Sequence, residues 1–264
     1  MEVITIILST LMGLFSPLGA VSDEVAEQTI RNQLHDAEAI AVRIDNTPTY
    51  QLLNGQVDRI RIAGRGLFPL EGVRIDTLDI ETAAIDVNVA ELRQGDLALD
   101  QPLQGVVHLS LTLEDINQAL QSSTVTESLR DISLNALGDT TIGGLNRSDV
   151  VRASLSVAPP NRLRLSALIR EQATGEELDI VLEFGLRLLN GYQIQIESPQ
   201  LIANEQAFPD ELLSSLTDGV TQAFTLRNFE SQGMTLRLLE LKIDEEAIQL
   251  TAFARLEPSS TLLD

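Results

Sequence analysis

Alternating branched aliphatic and polar residues predict an α+β fold dominated by antiparallel sheet. Three observations carry that prediction. First, Val57-Asp58-Arg59-Ile60-Arg61-Ile62 is echoed by Ile75-Asp76-Thr77-Leu78-Asp79-Ile80 and by Ile85-Asp86-Val87-Asn88-Val89. Each run has the two-residue period of a strand with one apolar and one polar face. Second, turn chemistry separates such runs: Gly64-Arg65-Gly66 and Glu71-Gly72 early in the chain, and Asn190-Gly191 later, the strongest hairpin signal in the sequence. Third, the helical stretches are short and carry caps, so they read as cover for a sheet rather than as a bundle.

The chain in order begins with an uncharged apolar run, Val3 to Phe15, with no basic residue before Arg31. As a helix of about 13 residues it reaches only ~20 Å, short of a ~30 Å hydrocarbon core. Residues 1–21 are read either as a membrane-associating segment or atypical signal, or as a buried helix of the fold. Ser22-Asp23-Glu24 starts a helix, with Ala26, Ile30 and Leu34 on one stripe. Ile40, Val42 and Ile44 open the sheet, and Asp45-Asn46-Thr47-Pro48 ends its first strand. After the three echoed runs, Val107, Leu109, Leu111 and Leu113 fall at strand spacing. Thr112-Leu113-Glu114-Asp115 then caps a short helix through Leu120. A second helical pattern, Val125 to Leu137, precedes the glycines at 138, 143 and 144, the best internal boundary.

Strand alternation returns at Val151 to Val157 and Leu163 to Ile169, joined by Pro159-Pro160-Asn161. Leu178 to Leu186 and Tyr192 to Ile196 flank Asn190-Gly191. Pro209 to Leu216 reads as a helix with Pro in its first turn. Leu238 to Ile243 and Ile248 to Leu256 close the series across Asp244-Glu245-Glu246. No repeat is clean enough to define two domains, so residues 22–258 are expected to form one domain, with 259–264 as a tail.

Composition narrows the function. Hydrophobic residues make up 44% of the chain but aromatics only 3%, with no Trp and no Cys. A pocket must therefore be aliphatic, without the stacking walls that hold bases or flat cofactors. A formal net charge of −21 argues against nucleic acid, which needs basic residues in excess. It also disfavours polybasic adsorption to an anionic membrane, so bilayer contact would be hydrophobic.

No phosphate-binding, dinucleotide, zinc-protease or nucleophile-elbow motif is present. The two histidines, His35 and His108, are far apart, and a transition-metal site is not expected. Asp76, Asp79 and Glu81, and the Asp244-Glu245-Glu246 turn, follow no calcium-loop pattern and read as solvated faces. Arg59, Arg61, Arg152 and Arg164 occupy polar strand positions where cross-strand pairing with acids supports a sheet. No enzyme chemistry and no cofactor is expected.

Two stretches, VSDEVAEQTIRNQL and VRIDNTPTYQLLNGQVDRIRIAGRGLFPL, together with LTLEDINQAL and LELKIDEEAIQLTAFARLE, resemble the LmeA-type phospholipid-binding envelope proteins, formerly known only as a domain of unknown function in cyanobacteria and actinobacteria. The resemblance implies a tubular lipid-binding (TULIP-like) form of the α+β class, a long curved antiparallel sheet wrapped around a helix. It further implies a non-enzymatic protein of the cell envelope or an internal membrane system, on the envelope or periplasmic side, with phospholipid or another acyl-chain lipid as partner.

Pattern alone favours a closed core behind the apolar faces; the resemblance favours an elongated aliphatic groove instead. Burying a CH₂ contributes ~0.8 kcal/mol, so an acyl chain of about 16 carbons gains on the order of 12 kcal/mol before ordering costs. The expected groove positions are Val42, Ile44, Ile60, Ile62, Leu78 and Ile80. Leu67 and Phe68 are expected at a membrane-touching tip, because Leu67-Phe68-Pro69-Leu70 is apolar where a hairpin loop should be polar. The alternative is a structural or adaptor protein with a filled core and a protein partner.

Overall fold

The structure, a computed structural model, describes residues 23–94, 96, 98–122, 125, 148–159, 161–171, 175–204, 206–207 and 225–262. The helical patterns beyond Val125 and at Pro209 to Leu216, the glycine-rich boundary and the N-terminal apolar run lie outside these residues. The chain divides into two compact units: residues 1–111, 226–240 and 249–264 form one, and residues 112–225 and 241–248 the other. Both are built on open antiparallel sheet with a few short helices.

The first unit opens with helix α1 (Asp23–Arg31), its first turn acidic and its last turn basic, as the helix dipole favours. Strands β1 (Asp36–Asp45), β3 (Arg59–Leu70), β4 (Val73–Thr82), β6 (Leu103–Thr112), β13 (Ala247–Leu256) and β12 (Met234–Ile243) line up in that order in a six-stranded sheet. Strand β1 is its edge, and α1 lies along it. Asp23 Oδ1 accepts the Ile44 N–H at 3.0 Å, Glu27 Oε1 accepts the Val42 N–H at 3.1 Å, and Arg31 Nη1 donates to the Ala37 carbonyl at 2.7 Å. Positions 23, 27 and 31 fall on one helical stripe, so a single face of α1 satisfies backbone groups that an edge strand would otherwise leave unpaired.

The other stripe of α1 buries Ala26 and Ile30 against the apolar face of the sheet, with Ile40, Val42, Ile60, Leu67, Met234 and Leu256 in the same cluster. The period-two pattern explains the register: Val42 pairs with Ile62 and Ile62 with Ile80, while Ile44 pairs with Ile60. One row of branched side chains therefore crosses three strands.

Two features differ from the sequence reading. Gly64-Arg65-Gly66 is not a turn but the interior of β3, and the turn falls at Glu71-Gly72. The glycines are there for close approach: a Cβ on Gly64 would collide with the Leu67 side chain, and one on Gly66, whose φ is +55°, with the Glu38 carboxylate. Consequently Leu67 and Phe68 sit in a strand rather than at a hairpin loop. The Ile85 to Val89 run is also not a third rung of the same meander. Ile85–Asp86 forms β5, which pairs with β2 (Gln56–Val57) in a separate two-stranded ribbon. The chain then turns into α2 (Val89–Leu92), because the Asn88 side chain accepts the N–H groups of Ala90 and Glu91.

In the second unit, α3 (Leu113–Ala119) starts as its sequence announced. Thr112 Oγ1 accepts the Asp115 N–H at 3.0 Å and donates to Asp115 Oδ2 at 2.6 Å. A five-stranded antiparallel sheet follows, in the order β11 (Gln206–Ala207), β10 (Gln193–Ala203), β9 (Glu177–Leu189), β8 (Arg162–Glu171) and β7 (Ser148–Ala158). Asn190 and Gly191 both take positive φ, 53° and 74°, which is the backbone of the hairpin turn that the dipeptide signals. Edge strand β7 is tied to α3 by one amide: Asn117 Oδ1 accepts the Leu155 N–H and Asn117 Nδ2 donates to the Leu155 carbonyl, at 2.6 and 2.9 Å.

Candidate functional site

The two units present two different surfaces. In the second unit, register places a continuous apolar face across β7, β8, β9 and β10. Val157 opposes Leu163 and Leu163 opposes Phe184; Leu155, Leu165, Leu182 and Leu201 form a second row; Ala153, Ala167, Ile180 and Ala203 a third. Leu186 with Ile196 and Leu188 with Ile194 extend it along the β9–β10 ribbon. Of these residues only Ala153 and Leu163 are buried, and the rest are half-buried. The opposite face is polar, with Arg164 against Glu183, Arg170 against Glu177 and Arg187 against Glu197. Strand β9, with 13 residues, spans ~40 Å at about 3.3 Å per residue. That is longer than an extended acyl chain of ordinary length.

In the first unit the corresponding apolar face is packed. Ile60 is 2% exposed and Leu67 3%; Val42 and Ile80 are also buried. Ile44, Ile62 and Leu78 pack against the cluster, and Phe68 is half-buried. The structure therefore brings the expected groove positions together on one face: Val42 and Ile60 belong to the cluster that holds Ala26 and Ile30 of α1, Ile44, Ile62 and Leu78 pack against it, and Val42, Ile62 and Ile80 also line the groove described next. Leu67 belongs to the same cluster.

A groove of about 740 Å³ opens on the other, polar face of this sheet. Two cross-strand rows make it. Ala41, Ala63, Asp79 and His108 form one, and Arg43, Arg61, Glu81 and Val106 the next. The first row is small at β1 and β3, where Ala41 and Ala63 stand, which leaves room for the groove. Arg59 and Phe253 also line it.

The charges here are paired. Arg59 meets Glu81 at 3.2 Å and Arg65 meets Asp79 at 2.8 Å, while Asp45 is shared by Arg61 and by Arg43 at 2.9 Å. Hydrogen bonds from Arg61, and then from Arg43, hold the Asp45 carboxyl below the ordinary aspartate range. His108 Nδ1 lies 3.1 Å from Thr251 Oγ1 on this wet face. Among the described residues no group of three or more His, Cys, Asp or Glu side chains is arranged to hold a metal ion, and no helix is long and apolar enough to cross a membrane.

Two signals were missed in the sequence. The second sheet's strands were readable as strands, but their unbroken apolar alternate positions over long runs were the sign of a larger face. The arginine groove had no local sign, since its residues come together only through register.

The comparisons define the class of protein: one whose relatives are described as phospholipid-binding. The chain belongs to the LmeA-like phospholipid-binding family, which it matches over residues 16–253. No curated protein and no solved structure matches it.

Proposed function

We propose that this is a non-enzymatic phospholipid-binding protein that holds acyl chains against the apolar face of its second sheet. The observation that carries the proposal is the half-buried aliphatic face running over β7 to β10, in a chain of a phospholipid-binding family. A hydrocarbon tail needs a long aliphatic surface and few polar contacts, and a nearly aromatic-free face supplies a smooth one. This reading puts the tails on Leu155, Leu165, Leu182 and their neighbours rather than on Val42 and Ile60, which already pack in one cluster with Ala26 and Ile30 of α1. The tubular lipid-binding architecture, and a place at the membrane on the envelope side, come with this reading as proposals drawn from the family resemblance.

Organic extraction of the purified full chain followed by mass spectrometry should release phospholipid, and the emptied protein should take up labelled phosphatidylcholine. Leu165→Gln with Leu182→Gln should weaken that uptake about tenfold, ~1.4 kcal/mol, at unchanged circular dichroism. Reproducible absence of both co-purifying lipid and uptake would overturn the proposal and leave a scaffold.

A further inference from the structure

We infer that strand β12 pairs with β12 of a second copy of this chain, antiparallel about a two-fold axis through Leu241. The pairing is independent of lipid binding and concerns the edge of the six-stranded sheet opposite β1. β12 (Met234–Ile243) ends the strand order, so only one of its two sides meets a neighbouring strand. At the other end of the order, Asp23, Glu27 and Arg31 of α1 take up the backbone groups of edge strand β1. Nothing comparable guards β12: among the described residues no side chain of another element bonds the backbone of residues 238–243. Leu239 on this strand is 57% exposed, more than any other large aliphatic side chain among the described residues. An open strand edge with an exposed apolar residue is a template for another strand.

Which strand fits is decided by the order of the side chains. Residues 239–243 read Leu-Glu-Leu-Lys-Ile, which places Leu239, Leu241 and Ile243 on one face and Glu240 and Lys242 on the other. Set Leu241 opposite its own copy in an antiparallel pair, and Glu240 of each chain stands against Lys242 of the other, with Leu239 against Ile243. Every cross-strand pair is then apolar with apolar or acid with base. Moving the two-fold by one residue, onto Glu240 or onto Lys242, sets two carboxylates or two ammonium groups face to face. The edge thus accepts one register and rejects its neighbours. The charges are available for this. Glu240 is exposed, and Lys242, the only lysine in the chain, has a side chain 58% exposed and meets Asp244 at 3.5 Å. An ammonium with three donors can hold a second carboxylate beside that one.

Each copy carries a formal charge of −21, so the pairing is measured at ~0.15 M salt, where exposed charges more than about 8 Å apart are largely screened. Sedimentation velocity of the full chain over a concentration series should show a monomer–dimer equilibrium, and amide exchange at residues 238–243 should slow as dimer forms. Glu240→Lys and Lys242→Glu should each weaken the dimer about tenfold, because both facing pairs become like-charged. Mixing the two single variants should restore dimerisation, since each Lys of one chain then meets a Glu of the other. The double variant, Glu240→Lys with Lys242→Glu, should recover it alone. Both positions are exposed, and circular dichroism checks that the variants fold. A monomer at every concentration, or a dimer equally strong in wild type and both single variants, overturns the inference. Weakening by the single variants with no recovery on mixing overturns it as well.

Discussion

The two sheets start from the same sequence pattern and end in different states. In the first, a nine-residue helix lays Ala26 and Ile30 on the apolar face and the branched residues beneath become core. In the second, the equivalent rows remain half-buried although they are as apolar. Alternation thus reports that a face is oily; what covers it is decided by a partner element elsewhere in the chain. The edges differ in the same way. Strand β1 is protected by three charged side chains of α1, and β7 by one amide of α3.

This contrast can be broken at four points, in falling order of effect. Ile60→Ala should cost about 2–5 kcal/mol in chemical denaturation, because it opens a cavity in a closed cluster. Leu182→Ala should cost clearly less, since that side chain keeps partial exposure; equal losses would mean the second face is as closed as the first. Next, Asn117→Ala removes both bonds that hold the β7 edge and should cost about 1–3 kcal/mol, with faster amide exchange at Leu155 as its local signature. Glu27→Gln keeps an acceptor for the Val42 N–H but loses its charge, and should cost about 1 kcal/mol or less, with exchange at Val42 rising while Leu155 is unaffected.

The smallest effect is in the acid limb of stability. The backbone N–H groups of Ala247 and then Glu246 hold the Asp244 carboxyl below its ordinary value. A lowered folded value means that its contribution is full above the unfolded value near 4 and disappears as the pH falls through the folded one. Asp244→Ala should therefore lower the melting temperature slightly at neutral pH, where the contribution is full, and flatten its fall with pH in that window. An unchanged acid slope would remove Asp244 as a contributor.

Much of the fold was legible because strand period and capping are local. The Thr112 cap, the Asn190-Gly191 hairpin and the end of β1 at Asp45 follow from neighbours in sequence, whereas the helix stops at Arg31, short of Leu34, and β1 begins at Asp36 rather than Ile40. Where local chemistry has two uses, the reading failed. Gly64 and Gly66 serve close packing against Leu67 and Glu38, which no turn statistic distinguishes from a bend. Asn88 caps a helix inside what alternation reads as a strand. The candidate sites were the least legible part. Arg43, Arg61 and Glu81 become neighbours only once β1, β3 and β4 are in register, and the helix that covers Val42 and Ile60 is not encoded in their own strands.

Helix α1 also does what an additional strand would do, without being one. Were it peeled away, β1 would offer a row of open amides and carbonyls, and a second molecule could zip onto it. A chain deprived of everything before Asp36 should for that reason polymerise through β1, and light scattering would rise with concentration. The acidic side chains at 23 and 27 are in this sense a guard against fibre growth as much as a prop for the fold.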